Sequence, residues 1–222
     1  MSDIFREVEE DLRRARYRHL WERFGAYVIG LAVLIVVGTA AWRGYEYWQE
    51  RQAAASGDRY IEAISIANGG DHAAAAAAFA AIQAEGNGSY PMLARLRAAS
   101  ERALAGENDA AVAEFDAIAA SSSTPPGLQA IARMRSALIL ADTLDLAQMR
   151  ARIGDLAESG QAFRHAARDL LGMVAWRTQD YAGARGYFTQ VLEDETAPTD
   201  LRQRAALMAD LIDSRIGAAA DG

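Results

Sequence analysis

The residue types that most often catalyse reactions or bind metals are sparse in this chain. It contains no cysteine, which excludes thiol catalysis, disulfides and thiolate metal sites. The three histidines, His19, His72 and His165, are far apart in the sequence, and none has a second ligand at a spacing such as H-x-x-x-H. Because a lone histidine lacks the partners that a catalytic group needs, we interpret all three as structural or surface residues.

Other catalytic and ligand-binding motifs are also missing from the sequence. It has no glycine-rich phosphate loop and no G-x-S-x-G nucleophile motif. The acidic run Glu193-Asp194-Glu195 lacks the alternate-residue ligand spacing of a calcium loop, and we predict that it forms a solvated acidic turn. The sequence therefore predicts a non-enzymatic protein without a cofactor, a metal site or a small-molecule substrate.

Arginine is the charged residue that recurs at a regular spacing. All 23 basic residues are arginines. Arg59, Arg95 and Arg168 each precede a recurring alanine by the same interval (59 before 75, 95 before 111 and 168 before 184). Arg97 and Arg133 share a second repeat position, two places later (97 before 111 and 133 before 147).

These arginines have two interpretations. Guanidinium groups bind carboxylates through paired hydrogen bonds, so the arginines could form a ladder that faces the acidic or C-terminal carboxylates of a partner. The alternative is a solvated face whose arginines form ion pairs within the chain.

The spacing of the arginines follows an internal repeat. The segments GDHAAAAAAF (70–79), GENDAAVAEF (106–115) and QDYAGARGYF (179–188) align with one another, and DTLDLAQMRA (142–151) is a weaker copy. Successive copies are 36, 36 and 37 residues apart. We align three positions in each copy: an alanine, the residue four later and the residue three after that. In three copies the second is phenylalanine and the third is aliphatic. The aligned residues are Ala75, Phe79, Ile82; Ala111, Phe115, Ile118; Ala147, Ala151, Gly154; Ala184, Phe188, Val191.

A period of this length indicates stacked helical hairpins, each of which buries its apolar face only against its neighbours. Because the third copy has Ala151 and Gly154 in place of larger residues, we expect looser packing there. The stretch 199–217 has no successor and is predicted to be a cap helix. A-x-x-x-F after a Gly-Asp-like turn resembles the tetratricopeptide repeat, although the period is longer than the roughly 34 residues of that repeat.

The resemblance implies an all-α fold in which tetratricopeptide-like hairpins form an α-solenoid. The first helices of such hairpins line its concave surface. This predicts that a partner-binding groove contains the five arginines of the ladder and two first-helix aromatic residues: Arg59, Tyr60, Arg95, Arg97, Arg133, Arg168 and Trp176.

A membrane-spanning helix is predicted before the repeats. Residues 24–42 contain 19 residues without a charge, which as a helix span about 28 Å, close to the hydrocarbon thickness of a bilayer. Aromatic residues flank both ends, as in the interfacial belts of membrane proteins. A cleaved signal peptide would have a shorter apolar core and a small-x-small cleavage site, whereas this core ends in Trp42-Arg43-Gly44-Tyr45.

The basic residues predict an orientation. Six arginines precede the span and three lie in a window of similar length after it, which favours a cytoplasmic N-terminus. The six arginines of the tail are balanced by six acids, so the net charge of −7 belongs to the part after the tail. A domain with this charge has no overall attraction for nucleic acid.

The predicted order of segments follows from these features. It is a cytoplasmic amphipathic tail (1–23), a transmembrane helix (24–42), a juxtamembrane linker helix (43–56) with a hinge at Gly57, a repeat domain (57–217) and a flexible C-terminus (218–222). The tail is either a docking helix or an ordinary extension whose arginines meet anionic headgroups.

A family resemblance rests on this architecture together with several segments. They are DIFREVEEDLRR (3–14), LWERFGAYVIG (20–30), AWRGYEYWQ (41–49), NGSYPMLARLRAAS (87–100) and RTQDYAGARGYF (177–188). Together they resemble the YfgM-like ancillary subunits of the Sec translocon.

The resemblance implies a bacterial inner-membrane protein with a periplasmic repeat domain. It also implies that this scaffold associates with a SecYEG-type channel and a PpiD-type chaperone in the trafficking of secreted proteins. A second hypothesis keeps the architecture and places the protein in envelope or cytochrome assembly, as in haem-lyase repeat subunits.

Overall fold

The computed structural model describes the backbone of residues 3–220 and the side chains of residues 24, 25, 27 and 29–216. Within this part every regular element is a helix and no strand is present, which confirms the predicted all-α class. The contacts divide the chain into two compact units, Met1–Ala55 and Ser56–Gly222. The amphipathic character predicted for the tail (1–23) concerns side chains outside the described residues. Of the flexible end predicted at 218–222, the backbone of residues 218–220 belongs to the last helix, and residues 221–222 are outside the described part.

The first helix, α1 (Asp3–Asn68), contains the apolar stretch. Among the described residues it is the one helix long and apolar enough to cross a membrane. Its apolar side chains between Ile29 and Trp42 are exposed, whereas a core helix of a soluble protein would bury them. This exposure is consistent with a helix that is solvated by lipid.

At Gly57, where the sequence predicted a hinge, the helical backbone continues without a break to Asn68. Gly57 is buried, and a Cβ atom at this position would lie 2.8 Å from the hydroxyl oxygen of Tyr90. The position therefore needs a residue without a side chain so that the Tyr90 ring can approach α1.

Eight further α-helices follow α1, and they alternate between first and second helices of hairpins. The first helices are the end of α1, α3 (Tyr90–Leu104), α5 (Pro126–Ile139) and α7 (Arg164–Arg177). The second helices are α2 (His72–Glu85), α4 (Asn108–Ala120), α6 (Leu146–Ile153), which a 3-10 turn (Asp155–Ala157) extends, and α8 (Tyr181–Leu192). The last helix is α9 (Thr199–Ala220).

The turns within the hairpins explain where the second helices begin. Gly70, Gly106 and Gln179 have φ of 86°, 87° and 63°, a left-handed conformation that ends the preceding helix. An acidic residue follows each of them as the N-cap, and the side chains of Asp71 and Asp180 accept a backbone hydrogen bond from the first turn. The predicted turns of these three copies are thus confirmed.

Three side chains per second helix form the core of the array. They lie four, eight and eleven residues after the N-cap, on one helical face. In α2, α4 and α8 they are fully or almost fully buried: Ala75, Phe79, Ile82; Ala111, Phe115, Ile118; Ala184, Phe188, Val191. The small first residue permits close approach of the paired helix, and the ring fills the space between hairpins. Gly172 of α7 shows how close this is, because a Cβ atom there would lie 2.9 Å from the Phe188 ring.

The predicted alignment of the third copy is wrong by two residues. Ala147 and Ala151 are exposed, whereas Met149 and Ile153 are fully buried, followed by Leu156. The N-cap of α6 is Asp145, whose carboxylate accepts from the Gln148 amide nitrogen at 2.8 Å while the Gln148 side chain accepts from the Asp145 amide nitrogen at 3.1 Å.

Counting from Asp145 gives the same four, eight and eleven spacing. The reference positions are therefore Ala75, Ala111, Met149 and Ala184, which are 36, 38 and 35 residues apart. The expected loose packing at Gly154 is also wrong, since large residues fill this layer.

A longer turn is the cause of the shift. Six residues (140–145) connect α5 to α6, whereas three connect the helices of each other hairpin (69–71, 105–107 and 178–180). Arg177 of the next hairpin donates hydrogen bonds to the carbonyl oxygens of Ala141, at 3.1 Å, and Leu144. These bonds satisfy acceptors that the longer turn leaves open.

Polar residues cover both ends of the array. Asp58, Glu62 and Ser65 of α1 are exposed at the positions where α3 buries Ala94, Ala98 and Glu101. At the other end of the array, the solvent-exposed side of α9 carries Gln203, Asp210 and Ser214, with Leu207 between them. A polar outer face is what a terminal repeat needs in water, and the predicted cap role of 199–217 agrees with it.

The corrected register predicts different effects for two neighbouring substitutions in α6. Ile153→Ala should lower the free energy of unfolding by about 2–5 kcal/mol, since it opens a cavity in a filled core. The matched control Ala151→Ser should change it by less than about 0.5 kcal/mol, because that side chain is exposed. Urea unfolding in detergent, followed by circular dichroism, measures both, and equal losses would contradict the register.

Candidate functional site

The corrected register brings four arginines to one repeat position. Arg133 precedes Met149 by the same interval that separates Arg59 from Ala75. It therefore shares the repeat position of Arg59, Arg95 and Arg168 rather than that of Arg97. We call these four residues the hairpin arginines: Arg59, Arg95, Arg133 and Arg168. Each is on a first helix, and each reaches toward the second helix of its own hairpin.

Arg59, Arg95 and Arg133 bind acceptors within their own hairpins. Nη1 of Arg59 lies 3.4 Å from Glu85, and Nε of Arg95 donates to Glu114 at 2.5 Å. Arg133 donates from Nε to the carbonyl oxygen of Arg152 at 3.0 Å and from Nη1 to Asp155 at 2.8 Å. The guanidinium groups therefore join the two helices of each hairpin. Whether any of them also binds a partner stays a prediction.

Arg168 is the most buried of the hairpin arginines. Its side chain is 10% exposed, against 59% for Arg59. Its Nε atom donates to the carbonyl oxygen of Ala157 at 2.8 Å, and Nη1 lies 3.4 Å from the carbonyl oxygen of Gln190. It lines an open cavity of about 580 Å³ together with loop residues that precede α7 and follow α8.

Asp194 also lines this cavity, and three basic side chains contact its carboxylate. Its carboxylate is 2.8 Å from Nε of Arg164, 2.9 Å from Nε2 of His165 and 3.5 Å from Nη1 of Arg168. Hydrogen bonds from Arg164, then from Thr196 and His165, hold the pKa of the Asp194 carboxyl well below its usual range. Asp194 is thus a partner of internal arginines, not the solvated residue that the acidic turn predicted.

Arg97 belongs to a different cluster, which surrounds a buried carboxylate. Glu101 of α3 is fully buried, with one oxygen 2.7 Å from Nε of Arg97 and the other 2.8 Å from Nδ1 of His72. Since an isolated buried carboxylate is costly, both basic side chains stabilise it. His72 lies on α2, so the cluster connects the first hairpin to the second. The interpretation of His72 and His165 as structural agrees with these contacts, while the side chain of His19 is outside the described residues.

The two predicted groove aromatics are half-buried at the edges of the core. The Tyr60 ring packs against the rings of Phe79 and Tyr90, with centroids 5.1 and 5.8 Å away. Burial raises the pKa of the Tyr60 hydroxyl, and the charge of Arg97 partly offsets this. The Trp176 ring lies 5.1 Å from that of Tyr181. Their part in partner binding stays a prediction.

The exposed side of α3 and α5 combines apolar residues with arginine. The two helices contact each other, and residues on this side recur every three or four positions. Leu104 is 63% exposed and Leu138 is 54% exposed, and they lie on helices that contact each other. We call this side the open face, and its members are Leu93, Arg97, Ser100, Leu104, Ile131, Arg135 and Leu138.

Arg135 differs from the hairpin arginines and from Arg97. It is exposed, and among the described residues none forms a hydrogen bond or an ion pair with its side chain. It precedes Met149 by the same interval by which Arg97 precedes Ala111. Sequence alignment missed this residue because the two-residue error assigned its repeat position to Arg133. The Asp-x-x-Gln capping pattern at 145–148 is the signal that could have found it.

A polar network fixes α5 on the side opposite to the open face. Ser136 is fully buried and donates to Asp116 of α4 at 2.8 Å, and Arg152 of α6 donates to both oxygens of Asp116 at 2.8 Å. The bonds from Arg152, with help from Ser136, lower the pKa of the Asp116 carboxyl against the effect of burial. Helices α4, α5 and α6 are thus held together, and the open face rests on a fixed support.

Metal ligands do not cluster among the described side chains. No group of three histidine, aspartate or glutamate residues among them converges on a point where a metal ion could bind. What the open face offers is apolar contact area next to cationic groups, which is the composition of a surface that binds another molecule.

The hairpin arginines give a paired prediction. Arg168→Met should lower the free energy of unfolding by about 2–3 kcal/mol, because buried carbonyl oxygens lose a charged donor. Arg59→Met, at the same repeat position, should cost less than about 1 kcal/mol, since its ion pair is exposed to water. Thermal or urea unfolding of the two variants checks this, and equal costs would show that burial does not decide the role of these residues.

Comparison with known proteins agrees with this architecture. The sequence model of a family described as the tetratricopeptide repeat-like domain matches residues 18–211, which is most of the chain. The comparisons with curated proteins and with solved structures found no match. Because the family match extends over the first helix and all four hairpins, the chain belongs to the tetratricopeptide repeat-like domain family.

Proposed function

We propose that the protein is a non-enzymatic scaffold, tethered to a membrane, that binds other proteins through its repeat domain. The observation that carries this proposal is the open face, where leucines and an unpaired arginine are exposed on two neighbouring helices. Exposed apolar area is unfavourable in water, and it becomes favourable when another molecule covers it. Membership of a repeat family whose domains serve as protein-interaction scaffolds supports the same conclusion.

The membrane tether allows the repeat domain to bind partners for which its own affinity is modest. In this proposal residues 1–23 are cytoplasmic, 24–42 span the bacterial inner membrane, 43–56 link the span to the repeats, and 57–217 form a periplasmic repeat domain. The excess of arginine before the span supports this orientation. A domain held at the membrane meets membrane-bound partners at a high effective concentration, so weak intrinsic binding suffices.

The finer proposal is that the partners are a SecYEG-type channel and a PpiD-type periplasmic chaperone. It rests on the resemblance of the tail, the anchor, the anchor exit and the repeat segments to the YfgM-like ancillary subunits of the Sec translocon. In this role the scaffold would hold a chaperone near chains that leave the channel.

Affinity purification from native membranes tests the proposal. The full chain, tagged and extracted in mild detergent, should enrich both the channel subunits and the chaperone over an untagged control in quantitative mass spectrometry. A variant with Leu104→Ser and Leu138→Ser should lose the chaperone, the channel or both, because the open face has lost its apolar contacts. Leu207→Ser, a matched change of an exposed leucine on α9, should keep them.

Two outcomes would contradict the proposal at different levels. Enrichment of envelope or cytochrome assembly factors, without the channel or the chaperone, would replace the translocon assignment and keep the scaffold. The absence of any protein that depends on Leu104 and Leu138 would reject the open face as the binding surface.

A further inference from the structure

We infer that the open face binds an acidic, apolar segment of its protein partner, with one partner carboxylate on Arg135. The inference rests on the proposed function and specifies the chemistry of the segment that occupies this surface. It begins with an imbalance in the described part of the chain, where the first-helix residues Arg95, Arg133 and Arg168 have acceptors and exposed Arg135 has none.

Arg135 has no carboxylate partner in the part of the chain that the structure describes, although acidic residues outnumber basic ones. The protein has 30 acidic and 23 basic residues, yet the seven positions of the open face contain two arginines and no acid. A surface of one sign within a domain of the opposite sign attracts a segment of complementary charge and repels other segments. Arg97 shares its charge with buried Glu101, so Arg135 is the stronger site for a carboxylate.

The leucines beside Arg135 determine the rest of the segment's composition. Leu138 is one helical turn from Arg135, and Leu104 is exposed on the adjacent helix α3. A carboxylate that binds Arg135 therefore lies next to apolar contact area, where exclusion of water strengthens the pair. A purely polar acidic tail would leave this area uncovered.

The distance between helices sets the spacing of acids in the segment. Packed helices are about 8–10 Å apart, and Arg97 and Arg135 occupy the same repeat position on α3 and α5. An extended chain covers this distance with three residues at about 3.3 Å each. Acids at positions i and i+3, with apolar residues beside them, therefore match the open face best.

A protein segment fits this surface better than an anionic bilayer does. The part of the chain after the tail has a net charge of −7, which opposes approach to a surface of anionic lipids as a whole. A short segment experiences mainly the local charge of the arginines, because solvent and salt screen more distant groups over about 10 Å.

Peptide selection on the full chain tests the inference. The protein is placed in phosphatidylcholine nanodiscs and used to select binders from a display library of short random peptides. We expect peptides enriched in leucine-like residues and in acids spaced by three. Arg135→Glu should weaken their binding about tenfold or more, and Arg135→Gln less, while Arg215→Glu, a matched exposed arginine on α9, should leave it unchanged.

A charge exchange separates a direct contact from a loss of folding. Peptides whose acids are replaced by arginine should bind the Arg135→Glu variant more tightly than they bind the natural chain. Unfolding midpoints of the variants should equal that of the natural chain, since Arg135 has no partner among the described residues.

Each other outcome has a definite meaning. Peptides that depend on Leu138 but show no acid enrichment, or bind Arg135→Glu equally well, would overturn the inference and leave the proposed function intact. Failure to select any peptide that depends on the open face would reject both. Binding that requires phosphatidylglycerol in the nanodiscs, or self-association lost in Arg135→Glu, would identify anionic lipid or a second copy as the occupant and overturn the inference.

Discussion

The packing of one large side chain per hairpin, eight residues after the N-cap of the second helix, determines the arrangement of the repeat domain. This residue is Phe79, Phe115, Ile153 or Phe188, and each is fully or almost fully buried. A hairpin cannot bury such a residue by itself, so it depends on the first helix of the next hairpin. Once this contact is fixed, the helical period decides which residues of each first helix face inward and which face solvent.

The same geometry gives arginine two different roles. The hairpin arginines reach the second helix of their own hairpin and bind carboxylates or carbonyl oxygens there. Arg97 and Arg135, two places later in the repeat, lie on the open face. Arg133 and Arg135 are close in sequence, yet about 200° of rotation on the helix separates them. A guanidinium group suits the internal role because several of its donors can reach different acceptors at once, as Arg133 and Arg168 show.

Much of this fold could be predicted from the sequence, because strong local signals specify it. The glycines of the turns, the alternation of alanine and phenylalanine, and the long apolar helix each have a local physical cause. The third hairpin could not be aligned by similarity, because Ala147 and Ala151 resemble the repeated alanine while the buried residues are the unlike Met149 and Ile153. Alignment compared residue types, whereas the register of α6 is set by the N-cap hydrogen bonds of Asp145 and by the volume of the side chains that fill the core.

The candidate site was harder to predict for a related reason. A change of two residues in register exchanges the inward and outward sides of a helix, so the error in one turn exchanged Arg133 and Arg135. The acceptors of the hairpin arginines are 11 to 26 residues away in the sequence, and nothing local identifies them. Burial of Glu101 next to His72 likewise depends on contact between separate hairpins.

The measurement that tests the register most directly is the rate of maleimide labelling of single cysteines in the folded protein. The chain contains no cysteine, so a cysteine placed at one position reports on that position alone. The corrected register predicts that cysteines at positions 135, 147 and 151 react almost as fast as in the denatured chain, and that those at 149 and 153 are strongly protected. Protection at 147 and 151, with fast labelling at 149 and 153, would contradict it.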